Sequence, residues 1–292
     1  MRPLKTAAVF LFTLALSSCA YHSPVQVLED GRYALASGDA TMVVDAFHGG
    51  KVASLSCSSQ EILSQAPQIQ TGSIFWTSPQ AVWNWPPIPE MDNQPFTVVS
   101  IGDELVLRSQ LSEKLPLRLE KIYKAMDKGA FSITYSLENA SSTPISVAPW
   151  EITRVPNDGV IFFDAPLESV TPSGLMSFHE LFGALWYETD VAQKSRKINA
   201  DGSGWLAYKN DNFLFLKSFP DIAQEQAAPN EAEVEVYVHP GKNYIELENQ
   251  GAYETLEPGA SLSWTVIWRL LPMEGPAVAS ERLLEAVQKL LK

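Results

Sequence analysis

The chain has 292 residues, with 34 Asp+Glu against 21 Lys+Arg and a formal net charge of −13. That balance excludes nucleic acid and anionic lipid headgroups as partners held by charge. The length allows a sizeable buried core, and the two cysteines, Cys19 and Cys57, are too few for a disulfide framework. In chain order, Arg2 and Lys5 precede an apolar run over 7–16 that is too short to span a bilayer as a helix. Residues 1–18 therefore read as a secretory signal peptide, whose removal deepens the negative charge.

The signal ends in LSSC at 16–19, which resembles the bacterial lipobox, where small residues precede a cysteine that receives lipid. The resemblance implies lipidation of Cys19, anchoring in a membrane through its acyl chains, and Cys57 left without an intramolecular partner. Ala20 rather than Asp follows the cysteine, which in such lipoproteins implies the outer membrane, facing the periplasm. Residues 19–31 read as a polar tether, and 32–292 as a single domain. Period-two alternation of apolar and polar residues predicts strands at 41–45, 96–101, 104–108, 131–137, 213–217, 233–239, 244–248 and 261–268. Asp30-Gly31, Gly49-Gly50, Asp201-Gly202, Pro240-Gly241 and Pro258-Gly259 punctuate them as turns. A short C-terminal helix is predicted from Leu283, Leu284, Val287, Leu290 and Leu291, which recur at helical spacing. The segment 177–185 reads as a helix or as a loop over the sheet. The fold class is all-β and antiparallel.

Between 72 and 89 the sequence GSIFWTSPQAVWNWPPIP gathers Trp76, Trp83 and Trp85 beside a rigid proline-rich turn. The indoles admit two readings, flat platforms for sugar rings or plugs at one end of a β core. Further on, the cluster Trp150, Glu151 and Arg154 offers another aromatic face and groups that hydrogen-bond sugar hydroxyls, while Glu151 and Arg154 equally fit a structural ion pair beside Trp150. Arg154 also suits a sugar carboxylate. Glu246 and Glu248 differ by two and share one face of their strand, where each can raise the other's pKa, although two glutamates on a solvated edge strand fit the same pattern. No metal-ligand spacing, phosphate-cradling glycine loop or nucleophile elbow is present, so no metal or other cofactor is assigned.

Three segments carry a family resemblance. GGKVASL at 49–55 looks like the opening strand of galactose mutarotase-like, or aldose 1-epimerase-like, domains. ENASSTPISV at 138–147 is similar to their mid-chain Asn-x-Ser/Thr-x-x-Pro segment. YIELEN at 244–249, followed by LEPGASLSW at 256–264, is similar to their acidic strand and Leu-x-Pro-Gly turn. The aromatic stretch is most like an uncharacterised bacterial branch of that superfamily. The resemblance implies an antiparallel β-supersandwich that binds carbohydrate, monomeric or oligomeric, on its concave face, with epimerase-like chemistry. In that chemistry one group takes the anomeric hydroxyl proton and another protonates the ring oxygen. Glu248 matches the family's carboxylate and is the candidate base. The family's acid histidine falls a few residues after the Thr-Pro segment, where this chain has Trp150. The candidate acid is then His179, unless His239 enters the site; His48 is notable only for its neighbours Gly49-Gly50. The alternative is a non-catalytic structural or interaction lipoprotein of the cell envelope.

Overall fold

Strand formation follows the alternation, one face dry and the next wet. In the computed structural model, which describes residues 24–65, 71–190 and 194–292, residues at every second position of 117–125 and of 131–139 are buried. The signal peptide, Cys19 and the start of the tether lie outside the described residues.

The chain opens with β1 (Gln26–Val27), β2 (Arg32–Ser37), β3 (Ala40–Asp45), β4 (Lys51–Cys57), β5 (Gln60–Glu61) and β6 (Ser73–Ser78), then the short helix α1 (Pro89–Asp92). There follow β7 (Thr97–Ile101), β8 (Glu104–Arg108), β9 (Leu117–Ala125), β10 (Ala130–Asn139), β11 (Ile145–Val155), β12 (Val160–Phe163), β13 (His179–Leu181) and β14 (Ala184–Glu188). The last third holds β15 (Arg196–Ala200), β16 (Trp205–Lys209), β17 (Phe213–Ser218), β18 (Val234–Val238), β19 (Ile245–Gln250), β20 (Glu254–Leu256), β21 (Ser261–Pro272) and helix α2 (Glu281–Leu291).

One sheet of 11 strands runs β1-β2-β3-β4-β6-β11-β19-β18-β15, with β20 beside β11 and β5 beside β4. The other, of 10 strands, runs β13-β14-β12-β16-β17-β21-β10-β9-β8-β7. The pairings are antiparallel in both, and apolar side chains of the two sheets form one contiguous core. This is the all-β sandwich with a C-terminal helix that the alternation implies.

Three local readings change. The segment 177–185 is neither helix nor free loop but a β-hairpin, with His179 opposite Trp186 and Leu181 opposite Ala184. The sheet begins inside the presumed tether, because β1 pairs with β2 and the Val25 N–H donates to the Gly102 carbonyl. The strand carrying Glu246 and Glu248 is no solvated edge, since β19 lies between β11 and β18 and all its residues are buried.

Register then divides the site strands by parity. Trp76 lies opposite Trp150, Arg154 opposite Glu246, and Glu246 opposite Tyr237, which in turn lies opposite Lys197. Residues directly opposite share a face, and residues two apart along a strand share it too. Trp76, Trp150, Arg154, Glu246, Glu248, Glu235, Tyr237 and Lys197 therefore all stand on one face of the 11-stranded sheet. Phe75, Glu151 and Thr153 stand on the other, turned toward the second sheet.

Candidate functional site

The outward face of β6, β11, β19, β18 and β15 forms the floor of a two-lobed cleft. One lobe, of about 230 Å³, is lined by Trp150, Lys197, Tyr237, Tyr244, Glu246 and Glu248. The other, of about 270 Å³, is lined by His48, Lys51, Ile74, Pro86, Pro87 and Asp92. Trp76, Trp85 and Arg154 border both lobes. A separate hollow of about 360 Å³, lined by Asp201, Glu231 and Glu233 among others, has no aromatic lining residue. That hollow is larger than either lobe, but the convergence of aromatic and charged groups favours the cleft.

The three tryptophans of 72–89 take three different positions. Trp85 is 63% exposed and stands at the cleft. Trp76 forms a wall, with its indole N–H donating to Asp92 at 2.8 Å and its ring edge-on to Trp150 at 5.4 Å and Trp85 at 6.3 Å. Trp83, expected at the ligand surface, is instead a core plug, 1% exposed, its N–H donating to the Thr77 carbonyl at 2.8 Å. Its ring lies edge-on to Trp76, 5.7 Å away.

Arg154 is 2% exposed, and its Nε donates to Glu246 at 2.7 Å. Burial pushes the Glu246 carboxyl up to about 7, opposed by Arg154 and reinforced by Glu248. Glu248 Oε2 accepts from the Trp150 indole at 3.0 Å and from Lys197 at 3.2 Å. Lys197 also pairs with Glu235 at 2.7 Å and lies 4.6 Å from the centre of the Trp150 ring. Burial works against the charge on Lys197, but Glu248 and Glu235 outweigh it and raise its pKa. Glu235 is fully buried, and desolvation raises its pKa well above the usual carboxylate range. The result is a charge network across four strands, with Arg154 on Glu246 at one end and Lys197 between Glu248 and Glu235 at the other, ordered by burial and fixed by register.

Glu151 is a correction to the expected ligand set. It points into the core, where it accepts from Lys217 at 2.9 Å, Tyr135 at 2.5 Å and the Trp268 indole at 2.9 Å. Strand parity carries the signal, because Trp150 and Glu151 are adjacent and must face opposite ways. His179 is likewise displaced: it lies exposed on β13, at the edge of the other sheet, and lines neither lobe. His239 packs against Tyr237 and Tyr244 without lining the cleft, and His48 lines the lobe away from Glu248. Among the described residues no histidine borders the lobe that holds Glu248, and no group of His, Cys, Asp and Glu is placed to hold a metal ion.

Lys197, Glu235, Tyr237, Tyr244 and Lys51 were not singled out from the sequence. Period two on 233–239 places Glu235 and Tyr237 together, while Lys51 sits in the Gly49-Gly50 motif. That motif acquires a structural reason: Gly49 has φ +71°, and a Cβ there would lie 2.1 Å from the Asp92 carbonyl oxygen. From inside, the Lys121 ammonium donates to the carbonyls of Gly49 at 2.7 Å and Gly50 at 3.3 Å. Burial lowers the pKa of Lys121 to about 7.

A family profile described as "Domain of unknown function (DUF4380)" matches residues 67–271, and the chain belongs to that family. The sandwich is the galactose mutarotase-like fold. A galactose mutarotase related enzyme from Lactobacillus acidophilus superposes with a TM-score of 0.59 at 12% identity, covering 85% of this chain and 100% of its own. A candidate aldose 1-epimerase from Escherichia coli K12 gives 0.59 at 11% identity, covering 83% of this chain and 99% of that one. A galactose mutarotase-like protein from Lactobacillus casei gives 0.56 at 13%, covering 82% and 100%. At these identities the likeness defines the fold alone. A search of the curated proteins finds no match.

Proposed function

We propose that the two-lobed cleft binds carbohydrate, and that the chain is a lipoprotein held through Cys19 in the outer membrane, facing the periplasm. One observation carries the binding reading: an exposed indole, Trp85, stands over a floor that presents Arg154, Glu246, Glu248 and Lys197. Aromatic faces stack on pyranose rings while charged groups take up the hydroxyls, and proteins place such groups in concave sites on rigid scaffolds. The likeness in fold to a galactose mutarotase related enzyme supports the same ligand class. Titration with a panel of glycans, followed by intrinsic fluorescence and ligand-observed NMR, tests it. Trp85→Ala should weaken the best ligand about tenfold or more, corresponding to roughly 1.4 kcal/mol. No response across the panel in wild type discards the reading.

The same lobe supports an epimerase-like turnover. Glu248 takes the anomeric hydroxyl proton, Glu246 gives a proton to the ring oxygen as its bond to the anomeric carbon breaks, and reclosure on the opposite face returns both protons. A carboxyl at about 7 is suited to that exchange near neutral pH. The second reading, binding without turnover by an interaction lipoprotein, is favoured by the two donors that hold Glu248 and by the absence of histidine from its lobe. NMR exchange between the anomers of a bound sugar separates them. Turnover predicts a rate above the uncatalysed level that Glu248→Gln cuts by about a hundredfold; a wild-type rate at the uncatalysed level leaves binding alone.

A further inference from the structure

The second lobe holds two cations that no protein anion claims fully. Arg154 spends Nε on Glu246, while its Nη1 is buried with no hydrogen-bond partner among the described residues. A buried guanidinium N–H without an acceptor costs free energy unless a ligand or water completes it. Lys51, half-buried, forms no salt bridge among the described residues, and its ammonium reaches the Thr71 hydroxyl only at 3.4 Å. Desolvation lowers the pKa of Lys51, and Arg154 lowers it further, so the two cations repel each other across the lobe; Asp45 and Asp92 act in the other direction. The nearby carboxylates already have partners: Asp92 accepts the Trp76 indole N–H, and Asp45 accepts from His48 at 2.8 Å. Two underused cations beside one cavity suit an incoming anion.

We propose that the ligand is an acidic sugar, a hexuronic acid residue whose carboxylate sits between Arg154 Nη1 and Lys51 Nζ while its ring lies against Trp85. This rests on the carbohydrate reading of the cleft. A planar monoanion matches a guanidinium edge assisted by an ammonium. Asp45 and Asp92 make the lobe less hospitable to a dianion such as a phosphate ester.

The test uses full-length protein purified in mild detergent, with calorimetric titration of matched probes: methyl β-glucuronide against methyl β-glucoside, methyl α-galacturonide against methyl α-galactoside, and glucose 6-phosphate. At least one uronide should bind about tenfold or more tightly than its neutral partner, an advantage that shrinks with added salt. In Lys51→Met the ratio of uronide to neutral-sugar affinity should fall toward one, and in Lys51→Arg it should stay as in the wild type. Thermal melts of both variants check that they are folded. Equal binding of acidic and neutral partners overturns the acidic-sugar assignment and leaves the carbohydrate reading standing. Binding of no probe of either kind counts against both. Tighter binding of the phosphate than of either uronide overturns the carboxylate, and a preference unchanged in Lys51→Met overturns its placement.

Discussion

Glu233 shows how one buried carboxyl can set a pH dependence outside the cleft. It is 1% exposed, and one oxygen accepts the Gly204 N–H at 2.8 Å. Burial pushes its pKa from 4.5 to about 8, Gly204 acts against the rise, and Asp221 and Asp201 reinforce it. Between those values the folded protein keeps a proton that the unfolded chain has released, so this group's contribution to stability is present below about pH 4.5 and is lost as pH rises to about 8. Glu233→Gln, which cannot ionise, should leave stability nearly unchanged at pH 4.5 and raise it by about 2–4 kcal/mol at pH 8.5, each pH unit between the two pKa values being worth about 1.4 kcal/mol. Lys121 works oppositely at higher pH: with its pKa lowered from 10.5 to about 7, stability rises with pH between the two. Because that contribution is common to both proteins, the difference between their urea midpoints isolates Glu233. Parallel curves from pH 4.5 to 8.5 would show that the carboxyl loses its proton at the same pH folded and unfolded.

At the scale of elements, β11 is the strand on which both faces of the molecule depend. Outward it presents Trp150 and Arg154 to the cleft; inward it sends Glu151 to Lys217 of β17, a pair at 2.9 Å with both side chains fully buried. Removing one partner strands the other charge in the core. Glu151→Leu should therefore cost about 3–5 kcal/mol, whereas the double change Glu151→Leu with Lys217→Met should recover most of that loss. Equilibrium unfolding of the wild type, the two single variants and the double variant gives the coupling directly, and additive losses would refute it. The alternating strands were legible in the sequence, but β11 was not among them. It has no alternation, being buried over nine consecutive positions, and it contains Pro149. Proline is tolerated there because Pro149 falls between the partner segments on one side, β20 opposite Ile145 to Val147 and β19 opposite Trp150 to Val155. The site was legible only in part for a related reason. Trp76, Trp85, Arg154, Glu246 and Glu248 belong to motifs that can be read along the chain, whereas Lys197 and Glu235 join them through cross-strand register, which spacing along one strand does not encode.

For the whole molecule, the two cysteines provide tests of the proposed attachment and of cooperativity. Cys57 is a free thiol on β4, 1% exposed within the core shared by the two sheets. A thiol in that place meets a reagent only when the sandwich opens, so its labelling follows the unfolding of the surrounding core. The proposed lipidation of Cys19 would consume the other thiol. Protein isolated from bacterial membranes under reducing conditions and then freed of reductant should therefore show no reactive thiol in native buffer and one after denaturation. If the core is a single cooperative unit, the appearance of that thiol through a guanidinium titration should coincide with the loss of β-sheet circular dichroism and of tryptophan fluorescence. A second thiol that reacts at once in native buffer would count against lipidation of Cys19, without touching the fold. Labelling of Cys57 well before the circular dichroism changes would instead mean that β2 to β5 open ahead of the rest, since β4 meets β6 at one residue pair, Val52 opposite Ser73, whereas β6 is held to β11 over six. The cleft would then lose Lys51 on β4 before Trp76 and the charged floor on β11, β15, β18 and β19 came apart.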